Sequence, residues 1–170
     1  MNVLRSCLAS LLLLPPLAAQ TATTAVFGAN QCGLDLVVAG APVPGTTIHV
    51  VGPGSVRFGT RLIQRWFLMG TSVTAIGGLP LPIPMETLFP SGFSCGSLLQ
   101  SSEFVARMPE APSFQATTVA VPVAIPNDAG LIGLEVYCQL FELGECLGSC
   151  APGFRPIGTA SNGVRVRIGL

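Results

Sequence analysis

The longest alternation of apolar and polar positions runs from Ile132 to Phe141. Ile132, Leu134, Val136, Cys138 and Leu140 fall on one side at period two, and Gly133, Glu135, Tyr137, Gln139 and Phe141 on the other. Successive side chains of an extended chain point to opposite faces, so this spacing predicts a strand with one buried face. Pro126, Asn127, Asp128 and Gly130 stand just before it and predict a turn, through fixed φ, side-chain capping and tolerance of positive φ respectively.

The remaining chain repeats the pattern in shorter pieces. Leu34–Val38 is an apolar run closed by the turn cluster Gly40-Ala41-Pro42-Val43-Pro44-Gly45, and Thr46–Val51 alternates with β-branched residues, which predicts a strand. Val56–Gly70 carries two patterns. Phe58, Leu62 and Trp66 are spaced as on a helix, but Gly59 lies inside that span and no cap begins it. Residues 62–69 alternate throughout, and the strand is the favoured reading there. Leu79–Pro84 has Pro at every second position, which removes ladder donors and predicts an edge strand or extended connection.

Cys95–Gln100, Glu103–Met108 and Phe114–Ala124 are further strand candidates, the last interrupted by Pro122. A final strand is expected where Val164, Val166 and Ile168 alternate with Arg165 and Arg167. Thr21–Ala25 reads as a loose N-terminal stretch, and Gly144–Gly158 as a Gly- and Cys-rich excursion. Seven to nine short strands between Gly and Pro breaks, with no sustained helical period, predict an all-β fold. The expected architecture is a single-domain sandwich of Greek-key or jelly-roll type.

The first twenty residues read as an address. Arg5 supplies a basic start, Leu8–Leu14 a short apolar run, Pro15-Pro16 a break, and Leu17-Ala18-Ala19-Gln20 small residues for cleavage. The run is much shorter than the ~20 residues that span a bilayer. Cys7 precedes the run, which disfavours a lipid anchor. A secretory signal ending near Ala19 or Gln20 follows, with one domain over residues 21–170 and no later membrane span. About 150 residues can bury a sizeable core unaided.

Charge changes the picture in two ways. Eight Arg, no Lys and eight acidic residues cancel, which argues against nucleic acid as a partner. Charged residues are 9% of the chain, against ~25% in ordinary globular proteins, so the surface is either faced with Ser and Thr or packs on something.

Five cysteines remain past the signal: Cys32, Cys95, Cys138, Cys146 and Cys150. An oxidising compartment makes disulfides the default. The expectation is a long bridge Cys32–Cys95, a local clip Cys146–Cys150 and a buried free thiol at Cys138, although Cys138 can instead take Cys146 or Cys150. The spacings between Cys138, Cys146 and Cys150 match no usual zinc pattern, so no metal is expected.

Catalytic chemistry is thinly represented. His49 is the single histidine, so a Ser-His-Asp hydrolase would have to use it with Asp35 or Asp128. No Gly-x-Ser-x-Gly elbow supplies the nucleophile. Glu86, Glu103, Glu110, Glu135, Glu142 and Glu145 are scattered, with no pair marked for glycoside hydrolysis. Asp128 alone is far short of a calcium shell and reads as a turn residue. Arg57, Arg61 and Arg65 beside Trp66 and Phe67 form the one basic-aromatic cluster. Arg61 and Arg65 are candidates to hold anionic groups, and Trp66 to stack on a sugar ring. The alternative for this cluster is an ordinary solvated face over a core Trp.

Several short motifs occur in order: Cys32-Gly33, Pro42-Val43-Pro44-Gly45, Leu68-Met69-Gly70-Thr71-Ser72, Leu79-Pro80-Leu81-Pro82, Ile125-Pro126-Asn127-Asp128, Leu131-Ile132-Gly133-Leu134, Tyr137-Cys138-Gln139 and Ser161-Asn162-Gly163-Val164. Together they resemble an uncharacterised β-rich extracellular domain of planctomycete-type bacterial secreted and surface proteins, over most of residues 30–170. The resemblance implies a fold and no enzyme, cofactor or catalytic residue. The expected function is that of a secreted, non-enzymatic domain acting in binding or cell-surface assembly, with itself or other surface proteins as partners. A carbohydrate-binding module built on Trp66 with Arg61 or Arg65 is the alternative, with polysaccharide as its ligand, and a secreted hydrolase stands third.

Overall fold

The computed structural model describes residues 20–28, 32, 34–53, 60–90, 94–108, 118–146 and 156–170, and of Pro53, Thr60, Arg61 and Cys146 the backbone alone. Within them the fold is all-β. Thirteen strands are present, nine of them three residues or longer, with one short helix α1 (Met85–Leu88) and a 3-10 turn at Ala129–Leu131. The chain forms a sandwich of two antiparallel sheets. Among the described residues no helix is long and apolar enough to cross a membrane.

The larger sheet is organised by β11 (Glu135–Cys146). On one side it pairs with β4 (Thr60–Gly70), whose own outer neighbour is β9 (Phe104–Arg107). On the other side lie β12 (Pro156–Ala160) and β13 (Gly163–Arg167), both antiparallel to β11. These two are in effect one long strand broken by a bulge at Ser161-Asn162. The edge beyond them is β1 (Thr23–Phe27), paired with β13. The smaller sheet has the order β10 (Thr118–Ala124), β3 (Thr47–Pro53), β2 (Val37–Ala39). Pro122 is tolerated in β10 because that strand is an edge and needs no second set of donors.

Alternation sets which side chains meet between the sheets. Phe67, Cys138, Leu140, Val164 and Val166 from the larger sheet pack on Ile48, Val50 and Val119 from the smaller. The expected alternation of Val164 and Val166 with exposed Arg165 is present in β13. The larger sheet overhangs the smaller at both edges. Val26 on β1 and Phe104 on β9, in register with core positions Val164 and Met69, are 59% and 50% exposed.

The back of the larger sheet is covered as well. The connection from β4 to β9 contains the two-residue strands β5 (Ala75–Ile76), β6 (Leu79–Pro80), β7 (Ile83–Pro84) and β8 (Ser97–Leu98), and it folds over that face. Gln139 on β11 is fully buried beneath it. Its amide accepts from Leu99 N–H at 3.1 Å and donates to Ser97 and Ser161 carbonyls at 2.7 Å each. Cys95 forms a parallel bridge to Thr159 and is disulfide-bonded to Cys32. The bond therefore ties the covering connection to the chain leading into the smaller sheet.

Several expectations need correction. The strand predicted from Ile132 starts at Glu135, because the 3-10 turn continues through the Leu134 N–H to Leu131 carbonyl bond. Leu134 is consequently 41% exposed instead of buried. The opposite face of β11 is buried too, as Gln139 shows. The ambiguous Val56–Gly70 span is strand from Thr60, with residues 54–59 outside the described set. Thr21–Ala25 is not loose: β1 forms because β13, at the far end of the chain, offers it an edge. The Gly144–Gly158 stretch is partly strand, since β11 runs to Cys146 and β12 begins at Pro156.

One buried polar contact couples the two sheets. Asn162, in the bulge between β12 and β13, accepts from Leu36 N–H at 2.7 Å and donates to Leu36 carbonyl at 3.0 Å. It imitates a strand pairing where no strand fits. Both residues are only 1% exposed. Asn162→Ala leaves two buried backbone groups unsatisfied, and urea denaturation should read a loss of about 2–4 kcal/mol. An unchanged midpoint would contradict this coupling.

Candidate functional site

The smaller sheet has its inner face in the core, so β2, β3 and β10 send alternate residues outward. Register places these in lateral rows: Val37–Val51–Ala120, Ala39–His49–Pro122, and Thr47 beside Ala124. All are exposed except Val51, which is half-buried. The rows contain no Asp, Glu or Arg, and His49 at the centre is their one ionisable group. With strands ~4.8 Å apart and rows ~7 Å apart, the face measures roughly 300 Å².

His49 is not set up for catalysis. Its lateral neighbours are Ala39 and Pro122, neither of which carries a group that orients an imidazole. Among the described residues none hydrogen-bonds to its side chain. Asp128 is occupied elsewhere, with its carboxylate accepting from Gly130 N–H at 2.8 Å as the cap of the 3-10 turn. Among the described residues no three His, Cys, Asp or Glu side chains are grouped to hold a metal.

The basic-aromatic cluster is taken apart by the fold. Arg65 is 4% exposed, on the inner side of β4. Its Nε and Nη2 donate to Glu142 Oε1 at 2.6 and 2.5 Å, directly across the strand pair. The backbone of Arg65 is engaged as well, its carbonyl accepting from Met108 N–H at 2.9 Å and Gln64 Nε2 at 3.0 Å. A guanidinium held this way is not available to a ligand. Arg61 also lies in β4, but a bulge between the Leu143 and Gly144 pairings adds a residue to β4 and breaks the period-two relation with Arg65.

Trp66 belongs to the opposite face. It stacks on Phe141, its cross-strand partner, with centroids 5.2 Å apart and planes at 22°. Phe141 in turn stacks on Phe89 at 5.8 Å. Gly158 gives Phe89 its place, since a Cβ there would run into the ring. The three rings form a half-buried ladder whose main role is to hold the covering connection on the sheet. Arg107 on β9 lies beside Trp66 in register, a neighbour that sequence alone could not supply.

The other titratable groups serve the structure. Cys138 is a free thiol, 1% exposed, and burial pushes its pKa up to about 12, which leaves it protonated and unreactive. Cys150 and the Cys146 side chain, and with them the predicted clip, lie outside the described residues. Tyr137 is pushed up by burial and by its hydrogen bond to Glu135. Glu103 is held below the usual carboxylate range by the Ser101 hydroxyl, with Thr71 N–H also donating to it.

The buried ion pair gives a direct test. Glu142→Ala strands the Arg65 charge in the interior, and chemical denaturation should show a loss of about 3–5 kcal/mol. The double variant Arg65→Met with Glu142→Leu should recover most of that loss, and no recovery would mean the pair is not isolated from its surroundings. Comparison of the chain with protein-family models, curated proteins and solved structures returns no match, so function rests on the geometry above.

Proposed function

We propose that this chain is exported and acts outside the cell as a non-enzymatic binding domain, docking through the outer face of its smaller sheet. The observation supporting this is the composition of that face: among the described residues, the three rows around His49 are mostly exposed and carry no other ionisable side chain. An open sheet face normally carries polar residues toward water. A patch of roughly 300 Å² is in the range where the largest apolar area of a monomer is often functional. It is well below the ~800 Å² per partner of a stable complex. A single contact is therefore weak, and retention comes from many copies engaged side by side, as in surface assembly.

The stacked Trp66 and Phe141 rings favour a second reading, in which the half-buried indole edge meets polysaccharide. Arg65 takes no part in it, being held by Glu142.

Ala39→Arg places a charge at the β2 end of the central row, beside His49, at an exposed position where folding should not suffer. The fraction of exported protein retained on the producing cells should fall several-fold, with the denaturation midpoint unchanged. Equal retention would remove the face from the account. Glycan binding that survives Ala39→Arg but is lost in Trp66→Leu would favour the second reading instead.

A further inference from the structure

We infer that the exported chain begins at Gln20 and that this residue closes to pyroglutamate. This rests on the export reading above. The leader signals in the sequence end at Leu17-Ala18-Ala19-Gln20, and Gln20 is itself bonded to the fold. Leu170 N–H donates to the Gln20 carbonyl at 2.9 Å, which holds Gln20 beside the stretch that follows β13. Three residues later β1 begins its pairing with β13.

The Gln20 side chain has a made place. Its carboxamide lies against the bare Cα of Gly133, whose φ of +89° already favours glycine. Any Cβ at Gly133 would run into Gln20 Oε1. Gly169 is bare for the same reason, with Ala22 and the Gln20 carbonyl against it. Gln20 is nonetheless exposed, and among the described residues nothing hydrogen-bonds to its carboxamide. The Cδ carbon is open to attack.

Cleavage of the leader takes a water and the export peptidase, and the ring closure that follows needs no co-reactant. Hydrolysis of the Ala19–Gln20 bond frees the Gln20 α-amine, which attacks its own Cδ. The Nα–Cδ bond forms, the Cδ–Nε2 bond breaks, and ammonia leaves with a proton from the amine. A charged terminus becomes a neutral five-membered lactam. The Gln20 carbonyl takes no part, so its bond to Leu170 N–H survives. The ring removes the free amine that aminopeptidases require, and β1 pairing protects the residues behind it.

The test is the intact mass of the reduced protein collected outside the producing cells, with tandem sequencing of its first peptide. The first peptide is expected to start at Gln20 and to weigh one ammonia less than its open form, and pyroglutamyl peptidase should restore a free terminus at Thr21. A chain starting at Gln20 with full mass and an amine open to labelling would overturn cyclisation and leave export standing. A chain that starts elsewhere, or keeps Met1, would overturn the cleavage position itself.

Discussion

The structure depends on one strand buried from both sides. The inner face of β11 carries Cys138, Leu140 and Glu142, and its back presents Gln139 and Phe141 to the covering connection. Every long neighbour is fixed by pairing to it: β4 on one side, β12 and β13 on the other. A strand in this position cannot shift by one residue without sending Gln139 into the apolar core and Leu140 against a polar layer. The register is thus over-determined, and with it the rows of the sheet. The polar residues it buries are each satisfied: Gln139 by three partners and Glu142 by the Arg65 guanidinium.

Periodicity in the sequence reports which side chains share a face over a few residues, and there it served well. Val136, Cys138 and Leu140 face the core, as do Val164 and Val166. The Cys32–Cys95 bond also agrees with expectation. Periodicity does not report whether the second face is covered. Gln139 and Arg65 look like surface residues until a distant connection and a cross-strand carboxylate are placed against them. Nor can it see a bulge, such as the one that interrupts the pairing of β4 between Arg61 and Arg65. Strand β1 is not legible in its own residues because its reason for forming lies more than a hundred residues away, in the open edge of β13.

The same logic separates the two candidate surfaces. The Arg65–Trp66 pair draws attention in sequence because charge and aromaticity stand side by side, yet adjacent residues on a strand face opposite ways. One is consumed by the interior ion pair and the other by a ring ladder. The outer face of the smaller sheet is not marked in the sequence, since Val37, Ala39, Ala120 and Ala124 lie on runs far apart along the chain. Only the pairing of β2 and β10 on either side of β3 gathers them around His49. A low-charge composition spread over the chain thereby becomes a defined face.

Native-state hydrogen exchange tests the central role of β11 most directly. Amides of Val136–Leu143 should exchange slowest in the molecule, with a free energy and denaturant dependence equal to those of global unfolding. Exchange of these amides through a smaller opening, at lower free energy than the amides of β3 and β10, would contradict the account.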